Sequence, residues 1–390
     1  MHANRGAQAW LTAGLLWFLL AIAFAPSNKI YQQGLVVFLW LPTLVFAWSA
    51  HTRLVEVWDA QRFVCVAVLS LLGWAALSLI WSASPDSGRE VKRLLYISVF
   101  LLFFPVLANG RSERVITVMQ CAGVGLGLAA LISIVRFYGQ QGQSWVARLE
   151  GIGELSHPIL GAYVIAAAII WLLHWQPRQR WFQVLWVASI TSLAAFVVFC
   201  QSRGAALALM FTVIAMPIWC RDRRSCLIAL GAIAAAVLGF WLLEPLVLAR
   251  GFSYRPEIFR GSLQMIAEHP VLGLGLGSFY EVLSNGIQFD HSHNMFTHIA
   301  IELGLPGLAL WLAVWLAVLL AVWRKRDTPF GKGLLGLWVF STLAMQFDAA
   351  SISGSPRAEW FITWLPVGLA SVLTWAHAHD QACDKIARSS

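Results

Sequence analysis

The chain has 390 residues, of which 59% are hydrophobic and 12% charged, with a formal net charge of +8 and a mean hydropathy of +0.70. A soluble domain carries roughly twice that density of charge, and here the apolar residues come in blocks of about 20, the length that crosses a bilayer. A soluble fold is excluded, and because the cations sit between the apolar blocks, topology explains them better than nucleic acid does.

Twelve stretches are predicted to span the membrane: 9–25, 34–50, 62–81, 93–109, 115–137, 157–175, 181–200, 204–220, 226–243, 295–323, 331–348 and 357–378. The expected fold is an all-α polytopic membrane protein of about twelve transmembrane helices. The block from Trp10 to Ala25 is followed at once by another and reads as a first span, not a cleaved leader. The block 295–323 is long enough to include an interfacial turn before the span proper. Three regions follow: 1–243 with spans one to nine, a polar loop at 244–294, and 295–390 with spans ten to twelve and a tail. The 21 Trp residues suit membrane interfaces. The six cysteines (Cys65, Cys121, Cys200, Cys220, Cys226, Cys383) have neither CxxC spacing nor a disulfide framework.

An even number of spans puts both termini on one side. With that side cytoplasmic, sixteen of the 27 Lys and Arg face inward. They include the clusters Arg221-Asp222-Arg223-Arg224 and Arg324-Lys325-Arg326 in short loops, where the positive-inside rule acts most strongly. The outer cations are then Lys29, Arg89, Lys92, Arg93, Arg136, Arg148, Arg203, Arg250, Arg255, Arg260 and Arg357. Taken singly, each is explained by snorkelling to headgroup phosphates. Taken together, an arginine-rich outer rim suits an anion held at the membrane, such as a lipid pyrophosphate.

Four features stand out along the chain. Gln201-Ser202-Arg203-Gly204 closes span seven, and an arginine there needs a partner or water. Its small neighbours let a phosphate approach the backbone. In the loop, Pro256 to His269 has Ile258, Phe259, Leu263 and Ile266 at helical spacing and ends at Pro270. Arg255 and Arg260 are five residues apart there, so only one is expected to face a shared site, and Gly251 and Ser253 permit a bend before them. Gly273, Gly275 and Gly277 lack any βαβ context and read as a close-packing turn that needs no chemistry. Last comes Asp290-His291-Ser292-His293-Asn294, just before span ten. A histidine at a membrane surface can act as a general base. The competing readings are a solvated loop, or a metal site drawing on Asp290, His291, His293 and His298, for which HxH spacing without HExxH is weak support.

His293-Asn294, nine residues, Gly304, two residues, Gly307 resembles the H-[NSQ]-x9-G-x2-[GTY] signature of O-antigen ligases. His269 to Gly275, Ser202-Arg203-Gly204, Arg255 with Phe259 (where Trp is common), and Arg148 to Pro158 (with His157 in place of a frequent Asn) are similar to patterns of the wider ligase and polymerase superfamily. The resemblance implies a C-type glycosyltransferase-like membrane fold with a large periplasmic loop and a periplasmic active site in the bacterial inner membrane. It implies undecaprenyl-pyrophosphate-linked O-antigen as donor and a sugar hydroxyl of lipid A-core as acceptor, with no metal, cofactor or nucleotide. On that basis His293, Arg203 and Arg255 are the expected catalytic residues. Arg148, Arg260, Arg89, His291 and Asn294 are the expected substrate-binding ones. The chain is expected to work as a monomer among membrane lipids. A polymerase or protein O-oligosaccharyltransferase shares this chemistry. A lipid-linked glycan transporter is the non-enzymatic alternative, but such proteins place ionisable groups mid-span.

Overall fold

The computed structural model describes residues 5–177, 179–249, 254–284, 286–348 and 351–376. Arg178, Arg250, Gly251, Ser253, Cys383, Lys385 and Arg388, which entered the reading of charge, bend and cysteines, lie outside the described residues.

Helices fall on the apolar blocks. In chain order they are α1 (Arg5–Phe24), α2 (Asn28–Ala60), α3 (Arg62–Ser78), α4 (Ser87–Ala108), α5 (Ser112–Gln140), α6 (Pro158–His174), α7 (Arg180–Phe199), α8 (Arg203–Cys220) and α9 (Arg223–Ala249). The outer segment adds α10 (Arg255–Glu268) and a small hairpin, β1 (Val282–Ser284) and β2 (Ile287–Phe289). The chain then runs through α11 (Met295–Arg324) and α12 (Pro329–Ala344). Among the described residues seven helices (α1, α2, α4, α5, α7, α8 and α11) are long and apolar enough to cross a membrane, and the apolar α3 and α6 are shorter. The protein is an all-α, multi-pass membrane protein.

The centre of the bundle is α6. Every side chain from Gly161 to Leu172 is buried, as expected of a helix that is apolar on all faces and packed on all of them. α7, α8 and α12 pack against it, and α11 lies along α3. At one end of the bundle the loops after α6, α8 and α11 meet: Trp175 Nε1 donates to the Pro329 carbonyl at 3.0 Å, and Lys332 Nζ to the Cys220 carbonyl at 3.3 Å. These are the loops that carry the basic clusters.

Two departures from simple spans matter. The predicted span 357–378 is not one helix. It is a 3-10 turn (Ala358–Phe361), a short helix α13 (Trp364–Ala370) and another 3-10 turn (Ser371–Trp375), with residues 377 and 378 outside the described part. Its apolar character serves the protein interior. Trp360 and Trp364 are buried and donate to the Gly354 and Ile352 carbonyls, and Phe361 stacks on Phe18 with ring centroids 4.8 Å apart. Irregular backbone is tolerated at such depth where protein, not lipid, surrounds it. The second departure lies within α11, where Gly304 breaks the helix at φ 69°, ψ −176°. The segment Met295–Leu303 is thus a short helical stretch set apart from the rest of α11 by the Gly304 break.

α10 starts just before Pro256 and stops at His269-Pro270, as its sequence requires. It packs Ile258, Gly261 and Ser262 inward, with Val282 of β1 set against Gly261. The turn through Gly273, Gly275 and Gly277 has positive φ at all three glycines. It is stitched to the start of α11 by Leu274 N–H to the Ile301 carbonyl, Gly275 N–H to the Glu302 carbonyl (both 2.8 Å) and Leu305 N–H to the Pro270 carbonyl (2.8 Å). This is the close-packing role expected of it.

Candidate active site

The segment Met345–Asp348, which follows α12, is the hub around which the predicted residues gather. The Met345 carbonyl accepts Met295 N–H at 3.0 Å. The Gln346 carbonyl accepts the Asn294 amide at 3.2 Å, and the Phe347 carbonyl accepts the Arg255 guanidinium. A Cβ added at Gly204 would lie 2.7 Å from Phe347 Cβ. The starts of α8, α10 and α11 and the end of α12 therefore meet at the bundle end opposite the basic loops.

His293 sits in the left-handed region at φ 49°, a conformation uncommon outside glycine and frequent at functional positions. Asn294 stabilises the turn by capping α11: its Oδ1 accepts the N–H groups of Phe296 (2.9 Å) and Thr297 (3.2 Å). The Asn294 side chain is thereby committed to holding the loop. Arg255 closes the turn from above, its guanidinium 3.5 Å from the His293 carbonyl.

The His291 and His293 imidazoles lie against each other, with centroids 3.8 Å apart and planes tilted by 44°, between two carboxylates. Asp348 Oδ1 is 3.6 Å from His293 Nδ1 and 3.5 Å from His291 Nε2. Asp290 Oδ1 is 2.8 Å from His291 Nδ1 and 3.9 Å from His293 Nε2. Asp348 is buried and Asp290 lies in solvent, with side chains 8% and 82% exposed. His293 Nδ1 is therefore the inner nitrogen and Nε2 the outer one. Burial favours a neutral Asp348, but the two histidines outweigh it and hold the carboxyl well below the usual range. Burial pushes the His291 imidazole down, and the carboxylates of Asp348 and Asp290 more than reverse this, so its pKa lies above the ordinary value. Asp290, His291 and His293 each bring one ligand atom to within 4.8 Å of the others, a spacing that also suits a small cation.

The other predicted residues divide. Arg203 opens α8 next to Gly204 and thus beside Phe347. Arg148 donates from Nε to the Cys200 carbonyl at 2.8 Å, close to that helix start. His157 caps α6 with Nδ1 accepting Leu160 N–H at 3.2 Å, which explains why it can replace an asparagine, another N-cap acceptor. Desolvation lowers its pKa and Asp348 opposes this, while Arg148 and His291 add to the lowering. The lowering favours the neutral ring that an accepting nitrogen requires. Arg260 is exposed, two residues from buried Ile258 and so on the far side of α10, whereas Arg255 shares the packed face with Ile258 and Ser262. Arg89 is exposed and paired with Asp86 at 3.0 Å.

Beside Arg89 a second polar cluster begins, which sequence reasoning missed. Glu90 of α4 is buried, pairs with Arg93 at 2.5 Å and accepts Ser353 Oγ–H at 3.2 Å. Gly277 fits between Glu90 and Glu302: its N–H donates to Glu302 Oε1 at 3.0 Å, and a Cβ there would lie 2.8 Å from the Glu90 carboxyl carbon. Glu302 in turn faces His298. Asp348 was missed as a partner too. The available signal was its charge at the end of an apolar stretch, where an ionisable residue is itself a pointer to function.

Comparison with known proteins agrees with this architecture. A family model described as O-antigen ligase matches residues 188–312, from within α7 through the hub-facing starts of α8, α10 and α11. A curated O-antigen ligase of Pseudomonas aeruginosa is 31% identical over 375 residues, covering 93% of this chain and 90% of that protein.

Proposed function

The chain belongs to the O-antigen ligase family, and from that premise we propose that it transfers O-antigen from undecaprenyl pyrophosphate to a sugar hydroxyl of lipid A-core during lipopolysaccharide synthesis. The observation that carries the mechanism is the His293 imidazole, fixed by a capped turn between an inner carboxylate and an outer, water-facing edge, with the Arg255 guanidinium on its carbonyl.

The outer nitrogen, Nε2, takes the proton of the acceptor hydroxyl as that oxygen attacks the anomeric carbon. The new C–O bond forms as the bond from that carbon to the phosphate oxygen breaks, inverting the centre and releasing undecaprenyl pyrophosphate. Asp348 sits across Nδ1, where it orients the ring and balances the imidazolium that results. The 3.6 Å separation is longer than a hydrogen bond, and such contacts commonly tighten once substrate is bound. General-base help of this kind contributes about 10²–10⁴-fold. Arg255 and Arg203 meet the charge that develops on the leaving pyrophosphate, with Arg148 behind them. The donor is already activated, so no further energy source enters.

In this reading the hub end of the bundle faces the periplasm, and the loops with the basic clusters and both termini face the cytoplasm. The outer loop 244–294 supplies the histidines and Arg255, while 1–243 and 295–390 supply Arg203 and Asp348. The test is reconstitution of purified protein with lipid-linked O-antigen and lipid A-core, with a chelator present throughout. Transfer that persists under chelation and disappears in His293→Ala is expected. Unchanged transfer in His293→Ala overturns the base, and a requirement for added divalent cation overturns the metal-free reading. Transfer onto unit-length lipid-linked glycan or a protein instead of lipid A-core would reassign the acceptor.

A further inference from the structure

We propose that the buried chain Tyr280–His298–Glu302 is a positioning device that holds the His293 turn from inside the bundle. This rests on the reading of His293 as the base. Tyr280 Oη lies 2.5 Å from His298 Nδ1 and 3.5 Å from Ser292 Oγ. On the other face of the imidazole, His298 Nε2 meets Glu302 Oε2 at 3.3 Å. Glu302 Oε1 then accepts the Gly277 N–H at 3.0 Å. The His298 and Glu302 side chains are only 6% and 4% exposed.

Three arguments assign the role. First, a buried carboxylate and imidazole are costly unless each has a partner. Here they sit one helical turn apart on α11, with Nε2 and Oε2 3.3 Å apart but not hydrogen-bonded. The bonds that hold them are therefore those on their far sides, from His298 to Tyr280 and from Glu302 to Gly277. Second, the chain ends on a residue that shapes the site. Ser292 lies between the two site histidines, and its Oγ–H donates to the Asn294 carbonyl at 3.0 Å, spanning the turn that puts His293 in its left-handed conformation. The Tyr280 hydroxyl lies 3.5 Å from Ser292 Oγ and packs against the turn there. Third, the inner end is anchored. Glu302 precedes the break at Gly304 by two residues, and both its side chain and its carbonyl hold the glycine turn, through Gly277 and Gly275. The glycine turn, Tyr280 just ahead of the hairpin, and the first turns of α11 thus form one block, with the His293 loop on its outer rim. None of the three side chains reaches the rim, so they act through geometry.

The test uses the full chain in the reconstituted assay, with Tyr280→Phe, Glu302→Ala, Glu302→Gln, the Tyr280→Phe/Glu302→Ala double variant and His293→Ala in parallel. A small displacement of a base costs up to about 10²-fold. The expected result is a drop in kcat of about 10- to 100-fold in Tyr280→Phe and Glu302→Ala, with KM for the lipid-linked donor unchanged. Glu302→Gln, which keeps a carbonyl for Gly277 N–H, should recover part of the rate. The double variant should be no slower than the slower single one, because both break the same chain. Full kcat in both single variants, losses that multiply in the double variant, or a loss confined to KM would overturn the proposal. Tyr280→Phe removes only a hydroxyl, so it remains decisive even if Glu302→Ala fails to insert. Activity in His293→Ala would end the base assignment itself. An inactive His293→Ala beside fully active chain variants would end only the positioning role.

Discussion

Two histidine–carboxylate groupings lie a few residues apart in this protein, and they differ chiefly in access to water. Around His293, rings that are about a quarter exposed lean on one buried and one solvated aspartate at 2.8–3.9 Å. Around His298, the imidazole and its glutamate are enclosed, and both are tied to backbone or phenol on their far sides. The same pair of chemical groups thus meets water in one place and is sealed from it in the other. In the proposed mechanism, solvation and the number of fixed contacts, more than residue type, separate the reacting histidine from the supporting one.

The strongest way to break that comparison is His293→Ala. It should lower transfer by about 10²-fold or more, approaching complete loss, while the protein still inserts. Lysine at Arg255 or Arg203 keeps the charge and loses the planar fork, and should cost about 10²-fold in kcat, measured with saturating donor. Asp348→Asn leaves the shape of the hub and removes its charge, and should cost about 10- to 100-fold. It also sharpens the comparison through pH. His291 has a raised pKa, so its contribution to stability is complete below the unfolded value near 6.5 and is lost as pH rises through the folded value. Asp348 has a depressed pKa, so its contribution is present above the unfolded value near 3.9 and is lost as pH falls through the folded value. Thermal unfolding of Asp348→Asn across pH should flatten in both windows, since each group is the other's partner. The smallest effects, a few-fold at most, are expected for Arg260→Ala and Arg89→Ala in initial-rate assays, because one is exposed on the outer side of α10 and the other is held by Asp86.

Much of the architecture was legible because a membrane span leaves a long, uniform apolar record. Even the break at Gly304 was foreshadowed by a block too long for one crossing. The stretch 357–378 does run along the bundle, from Arg357 beside Glu154 to Trp375 beside Glu56, but apolarity alone does not distinguish one continuous helix from turns and a short helix packed inside protein. The His motif, Arg203 and the loop helix were visible as local patterns. Arg255 and Arg260 could not be separated until the packed face of α10 was known. Asp348 was hidden because its partners lie more than fifty residues away in the chain. His298 and Glu302 carried the right spacing for a pair, but the phenol that completes the chain comes from beside a hairpin strand, which no helical periodicity reveals.

The interruption at Gly304 also serves as a depth gauge. From there to Arg324, α11 runs roughly 20 residues, or about 30 Å, which matches the hydrocarbon thickness of a bilayer. A bilayer matched to this length would end near the glycine. Nine helical residues and a short turn separate it from His293, so the imidazole cannot stand more than about 20 Å beyond that boundary. In the proposed reaction, a polyprenol with its diphosphate at the headgroup level would present its scissile bond on the same side of that boundary as His293. On that proposal the carrier would be unloaded without leaving its leaflet.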